Sequence, residues 1–168
     1  MRMLVKTTEL ALRALTVLAL EGDGTPATPK QLADRLECSV SYLSKTLGML
    51  VKAGILESMR GAYGGVLLRR PATEITLLDV FVACQGVLAT DHCAGTAPRD
   101  RQCAFHVAMQ DVYDQTMAAL QSWTLADLKA RPVRCRDTAA GVKCKMSFTG
   151  CEHHDDWCPA KQTAVIDA

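Results

Sequence analysis

Two amphipathic segments separated by a three-residue turn constrain this chain more than any other feature. "TPKQLADRL", Thr28 to Leu36, opens on a helix start signal. Thr28 is placed to accept from the backbone of Gln31, Pro29 suits the first helical position, and Gln31 reaches back to close a capping box. The pattern predicts a helix to about Glu37, a tight turn over "ECS", and Ser39 as the N-cap of the next helix. That next helix, "VSYLSKTLGMLVK", takes Val40, Leu43, Leu47 and Leu50 as its inner face. Its outer face is Ser41, Tyr42, Ser44, Lys45, Gly48 and Lys52, which is small, polar and basic and carries no acid. A short helix, a short turn and a helix with such an outer face form a helix-turn-helix pattern, whose second helix enters a major groove of DNA.

The flanks extend the pattern. Leu10, Ala14, Val17 and Leu18 recur at helical spacing and predict a first helix over residues 8–20, ended by "EGDGTPAT". Beyond the third helix, Ile55 to Ser58 and Val66 to Arg69 read as two strands around a glycine-rich turn that carries Arg60 and Tyr63. A hairpin in that place is a wing, and an arginine at its tip suits the narrow, electronegative minor groove. A further helix starts at about Thr76, with Asp79 at its positive end. "CAFHVAMQDVYDQTMAALQSW" predicts a long helix with Val107, Val112, Tyr113, Met117 and Leu120 as apolar positions, either a two-fold dimer seam or a helix packed on its own domain. "TLADL" is a short helix, and the chain turns polar and irregular from Lys129. The expected fold class is mainly α: a winged helix-turn-helix with a two-stranded wing and a long C-terminal dimerisation helix. The expected division is 1–75 for DNA binding, 76–129 for a sensor loop and dimerisation helices, and 130–168 for a Cys/His-rich tail.

Charge bears on how DNA would be held. Residues 1–75 carry ten Lys/Arg against seven Asp/Glu, while residues 76–130 carry three against six. So small an excess makes few phosphate contacts, and one copy should bind DNA poorly, so two are expected. The expected partners are therefore a pseudo-palindromic duplex and a second copy of the chain, with no membrane. The most apolar N-terminal run, Ala14 to Leu20, is seven residues long, follows Glu9 and Arg13, and has no cleavage-site pattern after it. A cytoplasmic location is the expectation.

In a reducing compartment, clustered thiols bind metal or do redox chemistry more often than they form disulfides. The chain has eight cysteines. Cys38 and Cys84 stand apart among apolar neighbours and read as core residues. "DHCAGTAPRDRQCAFH" sets Cys93 and Cys103 ahead of His106, and Cys135, Cys144, Cys151 and Cys158 occupy the tail with His153 and His154. On spacing alone Cys93 and Cys103 also read as unrelated thiols, and His106 as an ordinary histidine. A Cys103–His106 nucleophile and base would sit one turn apart on a helix, with no oxyanion-forming loop in view, so no enzyme is expected.

"TTELALRALTVLA", "SVSYLSKTLGMLVKAGIL", "RGAYGGVLLRRPATEITLLDV" and "CAFHVAMQDV" together resemble the IscR/NsrR-type regulators of the Rrf2 family, over roughly residues 1–129. The resemblance implies a dimeric winged-helix transcription factor, many relatives of which carry an iron–sulfur cluster in the loop before the dimer helix. It implies DNA contacts from Ser39, Ser41, Tyr42, Lys45 and the wing residue Arg60. Some relatives have an acid where this chain has Ser44, so their operators do not transfer. Cys93 and Cys103 match the first and last cluster cysteines, and His106 matches a histidine that ligates iron in some members. Glu9 matches an acidic ligand donated by the partner chain. The family's middle cysteine is absent.

Two thiolates with nitrogen and oxygen donors favour a 2Fe–2S cluster over a 4Fe–4S cube. Asp91, His92, Asp100 and the tail cysteines stand as alternative ligands. The tail reads either as a second metal site, for zinc or iron–sulfur, or as a redox-exposed extension. The functional expectation is a DNA-binding regulator whose metal centre senses iron, redox state or nitric oxide. The alternative is a cluster-free regulator of the same fold, controlled by thiol oxidation, zinc or a partner protein.

Overall fold

The computed structural model describes residues 4–21, 24–61, 64–86 and 102–130. Six helices and one hairpin follow in the order α1 (Lys6–Glu21), α2 (Pro29–Leu36), α3 (Val40–Lys52), β1 (Leu56–Met59), β2 (Gly65–Leu68), α4 (Leu77–Gln85), α5 (Ala104–Ser122) and α6 (Leu125–Ala130). A single turn of 3-10 helix, Ala72–Glu74, precedes α4.

Helix α1 is the centre. Leu10, Ala11, Leu12, Ala14, Leu15, Val17, Leu18 and Ala19 are all buried, so its middle has no solvent face. A helix apolar all round must be enclosed. Here α2, α3, α4, α6 and β2 pack around it. Leu32, Leu36, Leu43, Leu47, Leu50, Val80, Phe81 and Leu125 join the same core, so packing is continuous across residue 75.

The capping box of α2 forms as expected. Thr28 Oγ1 accepts from the Gln31 N–H at 3.2 Å, and Gln31 Oε1 accepts from the Thr28 N–H at 2.8 Å. The helix ends on Glu37, in the left-handed region at φ 52° and ψ 48°. The Cys38 N–H returns to the Ala33 carbonyl at 3.1 Å, and Arg13 donates to the Leu36 carbonyl at 3.0 Å. These bonds satisfy the last carbonyls of α2 and fix the sharp turn into α3.

Two details of α3 differ from expectation. Val40, the first residue of α3, is 43% exposed rather than inward. The inner stripe is Leu43, Thr46, Leu47 and Leu50, and the Thr46 hydroxyl is buried at no loss because it donates to the Tyr42 carbonyl at 3.1 Å. Ser39 occupies the N-cap position but makes no side-chain cap bond.

The wing strands sit one residue from their expected bounds and pair antiparallel, Leu56 with Leu68 and Met59 with Gly65. Ala27 bonds both ways with Val66, at 3.0 and 2.9 Å, and so adds a one-residue third strand that ties the wing to the approach of α2. That approach needs Gly65: a Cβ there would lie 2.6 Å from the Ala27 carbonyl oxygen.

A second capping box, Thr76 with Asp79, opens α4, and Arg70 pairs with the same carboxylate at 3.3 Å. The junction of α5 and α6 returns to this point through Leu77 N–H to the Trp123 carbonyl at 2.9 Å and Leu125 N–H to the Ile75 carbonyl at 2.8 Å. Among the described residues no helix is long and apolar enough to cross a membrane.

The Ala27–Gly65 contact sets a stability order. Gly65→Ala is expected to cost roughly 1–3 kcal/mol by forcing two backbones apart, and it should also loosen the wing. Thr28→Ala should cost about 1 kcal/mol from the lost cap and leave the wing intact. Denaturant midpoints, with amide exchange at Val66, check both.

Candidate nucleic-acid interface and thiol site

The candidate interface, as expected from the sequence, comprises the outer side of α3 and Arg60 beside β1. Ser39, the N-cap, and Ser41, Ser44, Lys45 and Lys52 on α3 are exposed. Burial of Leu43, Leu47 and Leu50 on the opposite side turns these residues outward, and that orientation follows from the 3.6-residue period. Arg60 follows directly on β1 and is exposed, while Tyr63 lies outside the described residues. Ser41, Lys45 and Lys52 thus share one exposed helix face free of acidic residues.

Tyr42 is different in kind. The residue is 40% exposed, but its hydroxyl shares a 2.8 Å hydrogen bond with Thr7 Oγ1 in the first turn of α1. A second bond holds that turn from the other side, with the Val5 N–H donating to Gln85 Oε1 at 3.0 Å. Neither Thr7 nor Gln85 was legible as a site residue. Their partners lie 35 and 80 residues away, and no periodicity or cap pattern signals them.

Of the expected metal ligands, Cys103 is the N-cap residue of α5 and is exposed, and His106 lies one turn on and is half-buried. Glu9 is half-buried on α1. Cys93, Asp91, His92 and Asp100 lie outside the described residues, as do Cys135, Cys144, Cys151, Cys158, His153 and His154. Among the described residues no three His, Cys, Asp or Glu side chains gather closely enough to hold a metal ion. A thiolate and an imidazole on one helical turn suit soft or borderline metals. They make only part of a ligand set within one chain.

Cys38 and Cys84 pack against the core without being enclosed by it. Burial pushes the Cys38 thiol up, with Arg13 opposing. Burial also pushes Cys84 up, with the Thr8 hydroxyl opposing. Both are thereby held as neutral thiols near pH 7, poor nucleophiles and poor ligands.

The long helix presents two sides. Leu120 is buried, and Val107, Tyr113 and Met117 are half-buried, against their own chain. Val112, expected with them, is 54% exposed and aligns with Phe105, 63% exposed, and with Ala108, Gln115 and Ala119 along the outer side. The separation follows spacing: these five residues recur at intervals of three and four, a second stripe distinct from the inward one.

A family model described as an iron-dependent transcriptional regulator, Rrf2, matches residues 4–131. The chain belongs to the Rrf2 family. Its members are DNA-binding transcriptional regulators, not enzymes, and are often dimeric. Protein aau3 of Rhizobium meliloti is 37% identical over 134 residues, covering 77% of this chain and 86% of that protein. The HTH-type transcriptional regulator IscR of Photorhabdus laumondii is 29% identical over 120 residues, covering 70% and 73%. CymR, the global cysteine regulator of B. subtilis, superposes with a TM-score of 0.66 at 26% identity, covering 79% of this chain and all of that one. The mainly helical architecture with its two-stranded wing is thus that of the Rrf2 regulators.

Proposed function

We propose that this Rrf2 regulator works as a homodimer that reads a pseudo-palindromic duplex with two copies of α3, under the control of an iron–sulfur centre held in part by Cys103. The observation that carries the reading is the placement of Cys103 and His106 on the first turn of α5. The outer stripe of that helix, Phe105, Ala108, Val112, Gln115 and Ala119, is exposed in the single chain. A donor pair at the head of a dimer helix makes the ligand set depend on the spacing of the two copies. Cys93, with Glu9 of the second copy or a tail cysteine, completes the set, and a 2Fe–2S centre fits its mixed donors. When bound, the centre supplies a reaction with iron, oxidants or nitric oxide. The protein's own part is to hold α5, and through it the two copies of α3, at the half-site separation of about 34–36 Å. Such a centre needs a reducing interior, and the cytoplasm provides one. The tail cysteines with His153 and His154 are a candidate for zinc or a second centre.

A second reading has its own support. The likeness to CymR extends to the S. aureus protein in its oxidised form, at 26% identity and a TM-score of 0.61. The sequence also lacks a middle cysteine between Cys93 and Cys103. Both favour a cluster-free regulator controlled by thiol oxidation, zinc or a partner protein.

Lys45→Ala and Arg60→Ala should each weaken binding to a selected duplex and reduce the salt slope of log affinity by about 1. An unchanged slope for both would remove α3 and the wing from the phosphate contacts. Purified without oxygen, the full chain should be coloured and hold iron and sulfide in equal amounts, and Cys103→Ala should lose both while remaining folded. A colourless wild-type protein supports the second reading, and zinc without colour its metal variant.

A further inference from the structure

The reading end of α3 is held less firmly than the rest of that helix. Leu43, Leu47 and Leu50 anchor it in the core, but Val40, Ser41 and Tyr42 in its first turn are exposed. Ser39 supplies no side-chain cap. Among the described residues, a side-chain tether of that turn to α1 is the Tyr42 hydroxyl on Thr7 Oγ1. In helix-turn-helix proteins the N-terminal residues of the second helix contact the bases, so the position of this turn governs binding.

Thr7 itself sits on a turn held in a similar way. Leu4, Val5 and Lys6 are exposed, whereas Thr8, Leu10, Ala11 and Leu12 are buried. The Val5 carbonyl accepts the first helical bond of α1, from the Glu9 N–H at 3.1 Å, and the Val5 N–H is taken by Gln85. Gln85 is the last residue of α4, and the stretch that leads to Cys93 begins after Gly86. Two hydrogen bonds in series therefore connect the end of α4 to the reading end of α3, through one turn of α1.

We propose that Thr7 and Gln85 are positioning residues for DNA binding, and that the first turn of α1 is a strap carrying the setting of the α4 terminus to the first turn of α3. The inference rests on α3 being the DNA-reading helix. The Tyr42 hydroxyl then serves the strap rather than a base or phosphate. Neither Thr7 nor Gln85 touches DNA, so their loss changes affinity without changing the number of neutralised phosphates.

The test uses the full chain and a duplex enriched by the wild-type protein from a randomised pool. Thr7→Val, Gln85→Met and Tyr42→Phe should each bind about fivefold more weakly, the value of one hydrogen bond, with the salt slope unchanged. Thr7→Ser and Gln85→Glu, which keep the hydroxyl and the acceptor, should restore binding. Because the bonds act in series, the Thr7→Val/Gln85→Met and Thr7→Val/Tyr42→Phe doubles should be no worse than the single variants. Unchanged or tighter binding by Thr7→Val, losses that multiply in the doubles, or a reduced salt slope would each overturn the proposal. Without DNA, amide exchange at residues 43–46 should rise in Thr7→Val and Gln85→Met relative to residues 47–50, and no rise also overturns it. If the wild-type protein enriches no duplex, the assignment of α3 fails, and the exchange measurement still decides on the strap.

Discussion

Everything in this molecule leans on the burial of α1. With its middle enclosed on every side, each large aliphatic residue there contributes about 1.5–3 kcal/mol, and the helix cannot shift as a body without emptying the core. The consequence is a shared support: α3, which bears the candidate DNA-reading face, and α4, which leads toward Cys93, rest on the same cylinder. Movement is left to the ends, where burial stops. At the first turn of α1 that boundary is sharp, since Thr8 is fully buried and Val5 is 46% exposed.

The same economy governs the interface. Acids balance bases over the whole chain almost evenly, so no broad field draws it to a polyanion. In the proposed reading, affinity comes from local placement: Lys45 on a smooth helix face, Arg60 at the wing, and a second copy to double the contacts. The wing is placed by backbone pairing of Ala27 with Val66. In the proposed dimer, the outer stripe of α5 would offer the second copy Phe105 and Val112 set among Ala108, Gln115 and Ala119. Cys103 at the head of that stripe would, in the proposed reading, couple the ligand set to the pairing of chains.

How far the sequence reveals this depends on the range of each interaction. The box of Thr28 and Gln31, the turn at Glu37 to Ser39 and the inward leucines of α3 are local, and composition and spacing disclose them. Asp79 was legible as a favourable charge at a helix start, and the structure adds that it closes a capping box and pairs with Arg70. Val40 broke its pattern because periodicity does not say which residues of a face a neighbour covers. Ser39 has the side chain of a cap but not the bond. The one-residue strand at Ala27 and the bonds of Thr7 and Gln85 depend on parts of the chain that meet only after folding. Tyr42 shows the difference most clearly: its place on the outer face was legible, but the commitment of its hydroxyl to Thr7 was not.

The central claim is that a metal centre at the head of α5 sets DNA affinity. The direct measurement is the affinity of the anaerobically prepared full chain for one selected duplex, before and after iron is removed by a chelator, beside Cys93→Ala. The account predicts a change of about tenfold in the wild-type protein, a coupling of ordinary allosteric size, and no change in the variant, which remains folded and dimeric. Equal affinities for the iron-loaded and stripped wild-type protein, or an iron response that persists in Cys93→Ala, would contradict it.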